Sequence, residues 1–397
     1  MKDKPKRYDV LVKMFGGRTF HSDTGTFHDE DIAIRGGKVV RLIKGIDAAF
    51  ARQIVPVPAG GIAMNENIDP HIHATEVWGQ RIRPERDFLY QGTPTVVDCG
   101  STGVNNFRQF LRQVIRRPSP DDIPHTEILA YLNIAAAGLA NQHRECFDLT
   151  YLDPEKTAAC AREFGEYIIG IKVRLGWLQA QKATWREALR RAIKAGELAR
   201  LPIMVHINEG PCVDEILSML RPDDIITHCC HGRGNDQGSN ILTEGRRLRR
   251  SVRRALKRGV RFDLGHGGGG YSHKLACEAV RDGLLSINPS LLTISTDLHD
   301  LCLDGPTHNF WTTMTKVLSW PEIKLETVLQ MSSINTARMI GFGPERCTLQ
   351  VGSPANLTIW LYSEPKGGYP LVDAEKHRWN TPRMLQPLKV LRDGIPV

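Results

Sequence analysis

Hydrophobic and polar positions change rhythm twice along the chain. Over the first 60 residues apolar and polar residues alternate in short runs, at 8–12, 31–35, 38–42 and 53–57, separated by Gly, Asp and Pro. A period of two between turn formers predicts small antiparallel strands. The pattern returns at 356–361 and 387–391, flanked by Gly352, Pro354 and Pro365. The two chain ends, 1–66 and 341–397, are therefore expected to build one small β-sandwich domain together.

Between them, short apolar runs alternate with longer amphipathic stretches. The runs cover 67–74, 93–101, 127–135, 167–175, 203–208, 224–230, 261–267 and 292–298. Strands buried on both faces read as continuous apolar runs, and strands alternating with helical stretches imply βα units. Eight such units within 67–340 predict an α/β fold, a (β/α)8 TIM barrel. The stretch 187–200 fits one of its helices, with Leu189, Ile193 and Leu198 on an apolar stripe. Gly267 to Gly270 form one flexible tract just after the seventh run.

Composition narrows the class. With 41% hydrophobic and 24% charged residues among 397, disordered, collagen-like and disulfide-scaffold readings are excluded. Nine scattered cysteines form no CxxC pair, so they read as free thiols of a reducing compartment, and a cytoplasmic location is expected. The basic start lacks the apolar core of a secretory signal, and no run is apolar enough to span a membrane. The net charge of +8 is local: residues 246–261 hold nine basic residues and no acid, and the rest holds 43 basic against 44 acidic residues. Within that segment Leu248, Val252, Ala255 and Leu256 lie at helical spacing, which predicts an outer barrel helix with its arginines in water. Nucleic-acid binding there would show as steeply salt-dependent affinity. The near-neutral remainder fits a small-molecule substrate better, with no membrane partner and assembly as a homo-oligomer.

In a barrel the reactive groups sit at the C-terminal strand ends. There the runs place His71 and His73, Lys172 and Arg174, His206, His228, His266 and Asp297. His71 and His73 are two apart, so on a strand they share a face and can hold one divalent ion. Lys172, between Ile171 and Val173 in a buried run, needs a partner. Arg174 shares its face, and its fork suits either a substrate carboxylate or a neighbouring acid. His266 is open between a substrate contact and a ring satisfied by its own glycine turn. His231 and His299 read as supporting or loop residues, and Cys229 and Cys230 as thiols facing opposite ways.

As a set, VVDCGSTG (96–103), GIKVR (170–174), FDLGHG (262–267), STDLH (295–299) and the His71-Ile72-His73 strand resemble the amidohydrolase superfamily, in particular its dihydroorotase-like amidohydrolase/deacetylase group. The resemblance covers nearly the whole chain and implies a metal-dependent hydrolase. It implies that His71, His73 and Asp297 bind one ion and His206 and His228 a second, both zinc-type, bridged by Lys172 carrying a CO2-derived carbamate. A metal-bridging hydroxide would attack an ester or amide, with Asp297 as general base and acid, releasing an acyl group from an α-substituted carboxylic acid. Arg174, His266 and Ser101 are the expected substrate contacts. A cyclic amidohydrolase, dihydroorotase- or hydantoinase-like, and a non-catalytic barrel scaffold are the alternatives. Three positions depart from the family pattern. Thr75 stands where dihydroorotases carry a carboxylate-gripping arginine, which argues against that activity; residues 63–67 lack the usual Pro-Gly, and Asn356 replaces an aspartate.

Overall fold

The computed structural model of the protein describes residues 7–74, 82–117, 124–141, 144–233 and 238–397. Seven strands come first: β1 (Tyr8–Phe15), β2 (Arg18–His21), β3 (Thr26–His28), β4 (Asp31–Arg35), β5 (Lys38–Ile43), β6 (Ala51–Pro58) and β7 (Gly61–Asn65). Eight follow: β8 (Ile68–Ile72), β9 (Thr95–Cys99), β10 (Glu127–Asn133), β11 (Ile168–Arg174), β12 (Ile203–His206), β13 (Ile225–Thr227), β14 (Arg261–Asp263) and β15 (Leu292–Thr293). Five close the chain: β16 (Leu357–Ser363), β17 (Tyr369–Val372), β18 (Arg378–Thr381), β19 (Met384–Arg392) and β20 (Ile395–Pro396).

Strands β8 to β15 pair in chain order, each parallel to the next. The segment after β15 returns to β8: Ile72 bridges Leu298, and Asp297 N donates to His71 O at 2.6 Å. This completes a (β/α)8 barrel, and each of the eight apolar runs holds one of its strands. β8, β9 and β13 are buried at every position, because helices cover the outside and side chains fill the inside.

A four-stranded sheet, β5-β4-β1-β6, and a six-stranded sheet, β20-β19-β16-β7-β2-β3, share a core that includes Val10, Val12, Ile34, Leu357, Ile359 and Leu391. The two chain ends meet in this sandwich through β16, which pairs with β7 on one side and β19 on the other. The sheets are mixed, not antiparallel as expected: β1 runs parallel to β6, and β2 to β7. Alternation reports which face a residue takes, not the direction of the neighbouring strand. The segments between β1 and β6 supply the crossover that a parallel pair needs.

Two helices also differ from expectation. The helix Trp185–Ala199 buries Ala188, Leu189, Ala192, Ala195 and Gly196, whereas Leu198 is 44% exposed. Its small residues allow close approach, for a Cβ on Gly196 would lie 2.9 Å from Ile203 Cγ2. In the basic segment the helix is only Arg250–Arg258, and Leu248 is buried before it, bridged to Leu242. Its cations are not simply solvated. Arg246 meets Glu278, Arg247 and Arg253 meet Asp282, Arg249 meets Asp214 and Arg261 meets Asp223, at 2.5–2.9 Å. Such pairs stabilise by ~1 kcal/mol or less each, but they neutralise much of the local charge excess. Among the described residues no helix is long and apolar enough to cross a membrane.

At the N-terminal end of the barrel, Glu66 precedes β8 and Glu127 opens β10. Arg346 reaches them at 2.6 and 2.7 Å, and Arg392 of β19 lies 3.5 and 3.2 Å away. Burial works against charge on Glu127, but the two arginines outweigh it and bring its pKa from 4.5 down to about 2. A depressed carboxylate stabilises above its ordinary pKa and loses that contribution as pH falls through the folded one. Glu127→Gln is therefore expected to destabilise the protein by on the order of 2 kcal/mol at neutral pH. The gap to the unsubstituted protein should close between pH 4.5 and about 2. Urea unfolding at several pH values checks this, and a gap independent of pH would contradict it.

Candidate metal centre and substrate cavity

The C-terminal rim of the barrel brings six of the expected residues into one cluster. His71 lies in β8 with His73 just beyond, Lys172 in β11, and His206 at the end of β12; His228 follows β13 and Asp297 follows β15. The ligand atoms of His71, His73 and Asp297 all lie within 4.8 Å of one another. Nε2 of His71 and of His73 stand 3.4 and 3.1 Å from Asp297 Oδ1. Lys172 Nζ is 3.1 Å from His71 Nε2. The His206 and His228 rings meet edge to face with centroids 4.3 Å apart, and the His228 ring is 5.1 Å from that of His71.

Hydrogen bonds behind the rings decide which nitrogen carries the proton. Thr227 Oγ1 donates to Asp263 Oδ2 at 2.7 Å, so it accepts the Nδ1–H of His71 at 2.8 Å. Ser101 Oγ donates to Asp98 Oδ2 at 2.7 Å and accepts the Nδ1–H of His73 at 2.7 Å. His228 Nδ1 donates to Gly265 O at 2.6 Å. Each of these rings therefore turns its Nε2 to the cluster. Burial pushes the imidazoles of His71, His206 and His228 down, His228 to about 3, so they are neutral. Burial likewise lowers Lys172.

The backbone is bent to fit. His228 and Asp297 adopt left-handed conformations, φ 63° and 48°, a strain that persists where surrounding structure over-determines it. The tract expected to be flexible serves close packing instead. A Cβ on Gly267, itself at φ 46°, would sit 2.2 Å from Asp297 Oδ2. Gly100 plays the same part for Lys172, whose Cβ is 2.6 Å from where a side chain would begin.

A cavity of about 500 Å³ opens above the cluster, lined by His73, Arg174, His206, His228, Arg233 and Asp297 among others. Arg174 is on its wall but already meets Glu145 at 3.2 Å, and both side chains are buried. Ser101 and His266 do not line it. Ser101 is fully buried beneath His73, and His266 is fully buried with Nδ1 at Gly267 O and Thr307 Oγ1 and Nε2 at Lys316 Nζ, 2.9–3.1 Å away. The polar side-chain atoms of both expected substrate contacts are thus engaged within the wall. His299 lines the cavity, His231 is buried on Ser239 O, and Cys229 and Cys230 are buried in the core. Thr75 lies outside the described residues. Sequence reasoning did not single out Asp98, Asp263, Glu145, Lys316 or Arg233. The FDLGHG stretch did contain Asp263, but its role depends on Thr227 of a neighbouring strand.

No family model matches the chain. A deacetylase of Agrobacterium fabrum is 32% identical over 339 residues, 83% of this chain and 78% of that protein. A deacetylase of Brucella anthropi is 34% identical over 301 residues, 74% of this chain and 69% of that one. The crystal structure of an adenine deaminase matches with a TM-score of 0.84 at 24% identity, over 98% of this chain and 99% of the other. Fold and relatives together define the protein as a hydrolase built on an α/β barrel. More narrowly, the chain belongs to the amidohydrolase superfamily, with deacetylases among its relatives.

Proposed function

We propose that the protein is a binuclear metal-dependent hydrolase that cleaves an ester or amide bond and removes an acyl group from an α-substituted carboxylic acid. One observation carries this reading: imidazole nitrogens and a carboxylate converge at one buried point. Nε2 of His71 and His73 face a carboxylate oxygen, and Nε2 of His206 and His228 are buried with no hydrogen-bond partner. Such an arrangement is repulsive or unsatisfied unless cations complete it.

His71, His73 and Asp297 would hold one ion and His206 and His228 a second, with Lys172 between them. Nitrogen and carboxylate donors of this kind suit zinc. Lys172 fits the bridge as a carbamate, since burial favours the neutral amine that reacts with CO2, and the product offers two anionic oxygens. When bound, the ions would supply Lewis acidity and a water acidic enough to react near neutral pH. The chain's own contribution is then positioning and proton transfer. The Thr227–Asp263 and Ser101–Asp98 pairs hold the rings of His71 and His73 in one tautomer and orientation. Asp297 takes a proton from the attacking water and delivers it to the leaving group.

A substrate carboxylate needs a cation whose charge is not already matched. Arg174 has Glu145, so the carboxylate falls to Arg233, an exposed residue on the cavity wall whose guanidinium lies against Gly269 and meets no carboxylate among the described residues. Arg233→Met is expected to raise KM by roughly 10- to 100-fold with kcat little changed, the range of a charge-assisted hydrogen bond. An unchanged KM would remove Arg233 from this role.

The test of the whole reading is an assay of zinc-loaded protein in bicarbonate against N-acyl amino acids, O-acyl hydroxy acids and cyclic amides. Acyl release from the first two classes is expected. Ring opening alone would overturn the substrate class, and less than about one ion per chain after supplementation would overturn the binuclear centre.

A further inference from the structure

We propose that the outer face of the β2–β3 hairpin, far along the chain from the barrel cluster, is a separate site for a divalent transition-metal ion, formed by His21, His28 and Glu30. Their ligand atoms lie within 4.8 Å of one another. His21 Nε2 is 3.0 Å from Glu30 Oε2, and the two imidazoles are 4.5 Å apart, centroid to centroid.

The strand register explains the convergence. β2 and β3 are antiparallel, with His21 opposite Thr26 and Thr19 opposite His28. Alternate residues share a face, so His21 and His28 are diagonal neighbours within reach of one another. Glu30 follows His28 by two residues and arrives on the same side. His28 is exposed, and His21 and Glu30 are half-buried, so an ion has an open approach.

The support beneath is firm. Phe20, fully buried, packs on Phe27 at 5.0 Å on the opposite face. Thr19 Oγ1 donates to Glu30 O at 2.7 Å, which pins the segment carrying the carboxylate. The turn is closed by Gly25 N on His21 O at 2.8 Å. It is tied to the rest of the molecule by Gln330 Nε2 on Ser22 O at 2.9 Å and by Ser22 Oγ on Asn65 at 2.6 Å. Thr26 Oγ1 holds His28 Nε2 at 2.8 Å. Ligands carried on strands fixed in this way are pre-placed for an ion, not gathered by it.

Two imidazoles and one carboxylate select Zn2+, Ni2+ or Cu2+ over Mg2+ or Ca2+, which prefer all-oxygen sites. Three protein ligands leave room for water in a tetrahedral shell. β3 is the last strand of its sheet, so a bound ion would clip an otherwise open edge to the segment that enters β4. None of these residues lines the barrel cavity.

The experiment uses the full chain as purified, loaded with Zn2+ and freed of loosely held metal, then titrated with Zn2+ by calorimetry. One further ion per chain is expected beyond those retained. Cu2+ at the same site should show imidazole nitrogen coupling in its electron paramagnetic resonance spectrum. His28→Gln should weaken the added site by about tenfold or more, with turnover and retained metal unchanged. Glu30→Gln should also weaken it and decides the question if the first variant misfolds. No added ion, or equal affinity in the unsubstituted protein and in the variants, overturns the proposal. Because the readout is the added ion, this result is independent of whether the barrel centre is catalytic.

Discussion

Asp297→Asn should lower turnover by on the order of 10²- to 10⁴-fold in a chain that stays folded, the loss expected when a general base and acid is removed. The amide keeps the shape and one oxygen toward His71 and His73 but cannot take a proton. Asparagine is also the right replacement for the backbone. Asp297 sits at φ 48°, and among residues with a side chain Asn and Asp adopt that region most readily. Asp297→Ala would add backbone strain to the chemical loss, and the two could not be separated. The variant should therefore melt close to the unsubstituted protein and bind metal when zinc is in excess. Steady-state kinetics with metal analysis on the same sample would check this. A variant that keeps metal and more than about a tenth of kcat would show that proton transfer lies elsewhere.

What could be read from the sequence follows from which physical constraints act locally. The eight barrel strands were legible because burial on both faces writes each as a continuous apolar run. Strand direction in the sandwich was not, because alternation is blind to the partner: β1 beside β6 looks the same parallel or antiparallel. Of the six clustered residues five were legible because they stand near the end of an apolar run, where a polar residue needs a reason, and Lys172 because it interrupts one; their grouping as ligands came from the family resemblance. Their supports were less so. Asp263 acts on His71 only through Thr227, and Glu145 meets Arg174 from another part of the chain, so no local pattern marks either. The glycines after the seventh strand read as flexibility, yet Gly267 is required by the carboxylate pressed against it. His266 shows the converse. Its position at a strand end suggested a substrate contact, but Lys316 comes from the helix Phe310–Leu318 to occupy its ring. The basic segment kept its helix and lost much of its apparent charge to acids from neighbouring elements.

The second large effect concerns Lys172. Its side chain is fully buried, and Nζ has as neighbours His71 Nε2 at 3.1 Å and Met204 Sδ at 3.4 Å, neither of them an anion. A buried ammonium with such partners is unfavourable by several kcal/mol, so charge there must be removed or reversed. Reaction with CO2 does the latter: the ammonium first gives up one proton, the neutral nitrogen bonds to carbon as one C=O π bond opens, a second proton leaves the nitrogen, and a cation has become an anion with two donor oxygens. Lys172→Ala should therefore lower metal affinity by at least ~100-fold, more than loss of a supporting hydrogen bond would, and turnover should fall with it. The shortened side chain leaves a polar void next to Gly100 and the histidines. Acetate or propionate supplied with zinc should enter that void and restore part of both metal content and turnover, because either acid offers the same two oxygens. A lysine acting as an ammonium would respond in the opposite way, to ethylamine and not to carboxylates. Rescue by the amine alone, or a variant that keeps its metal without any addition, would rule out the carbamate and leave the two histidine groups without the anion that joins them.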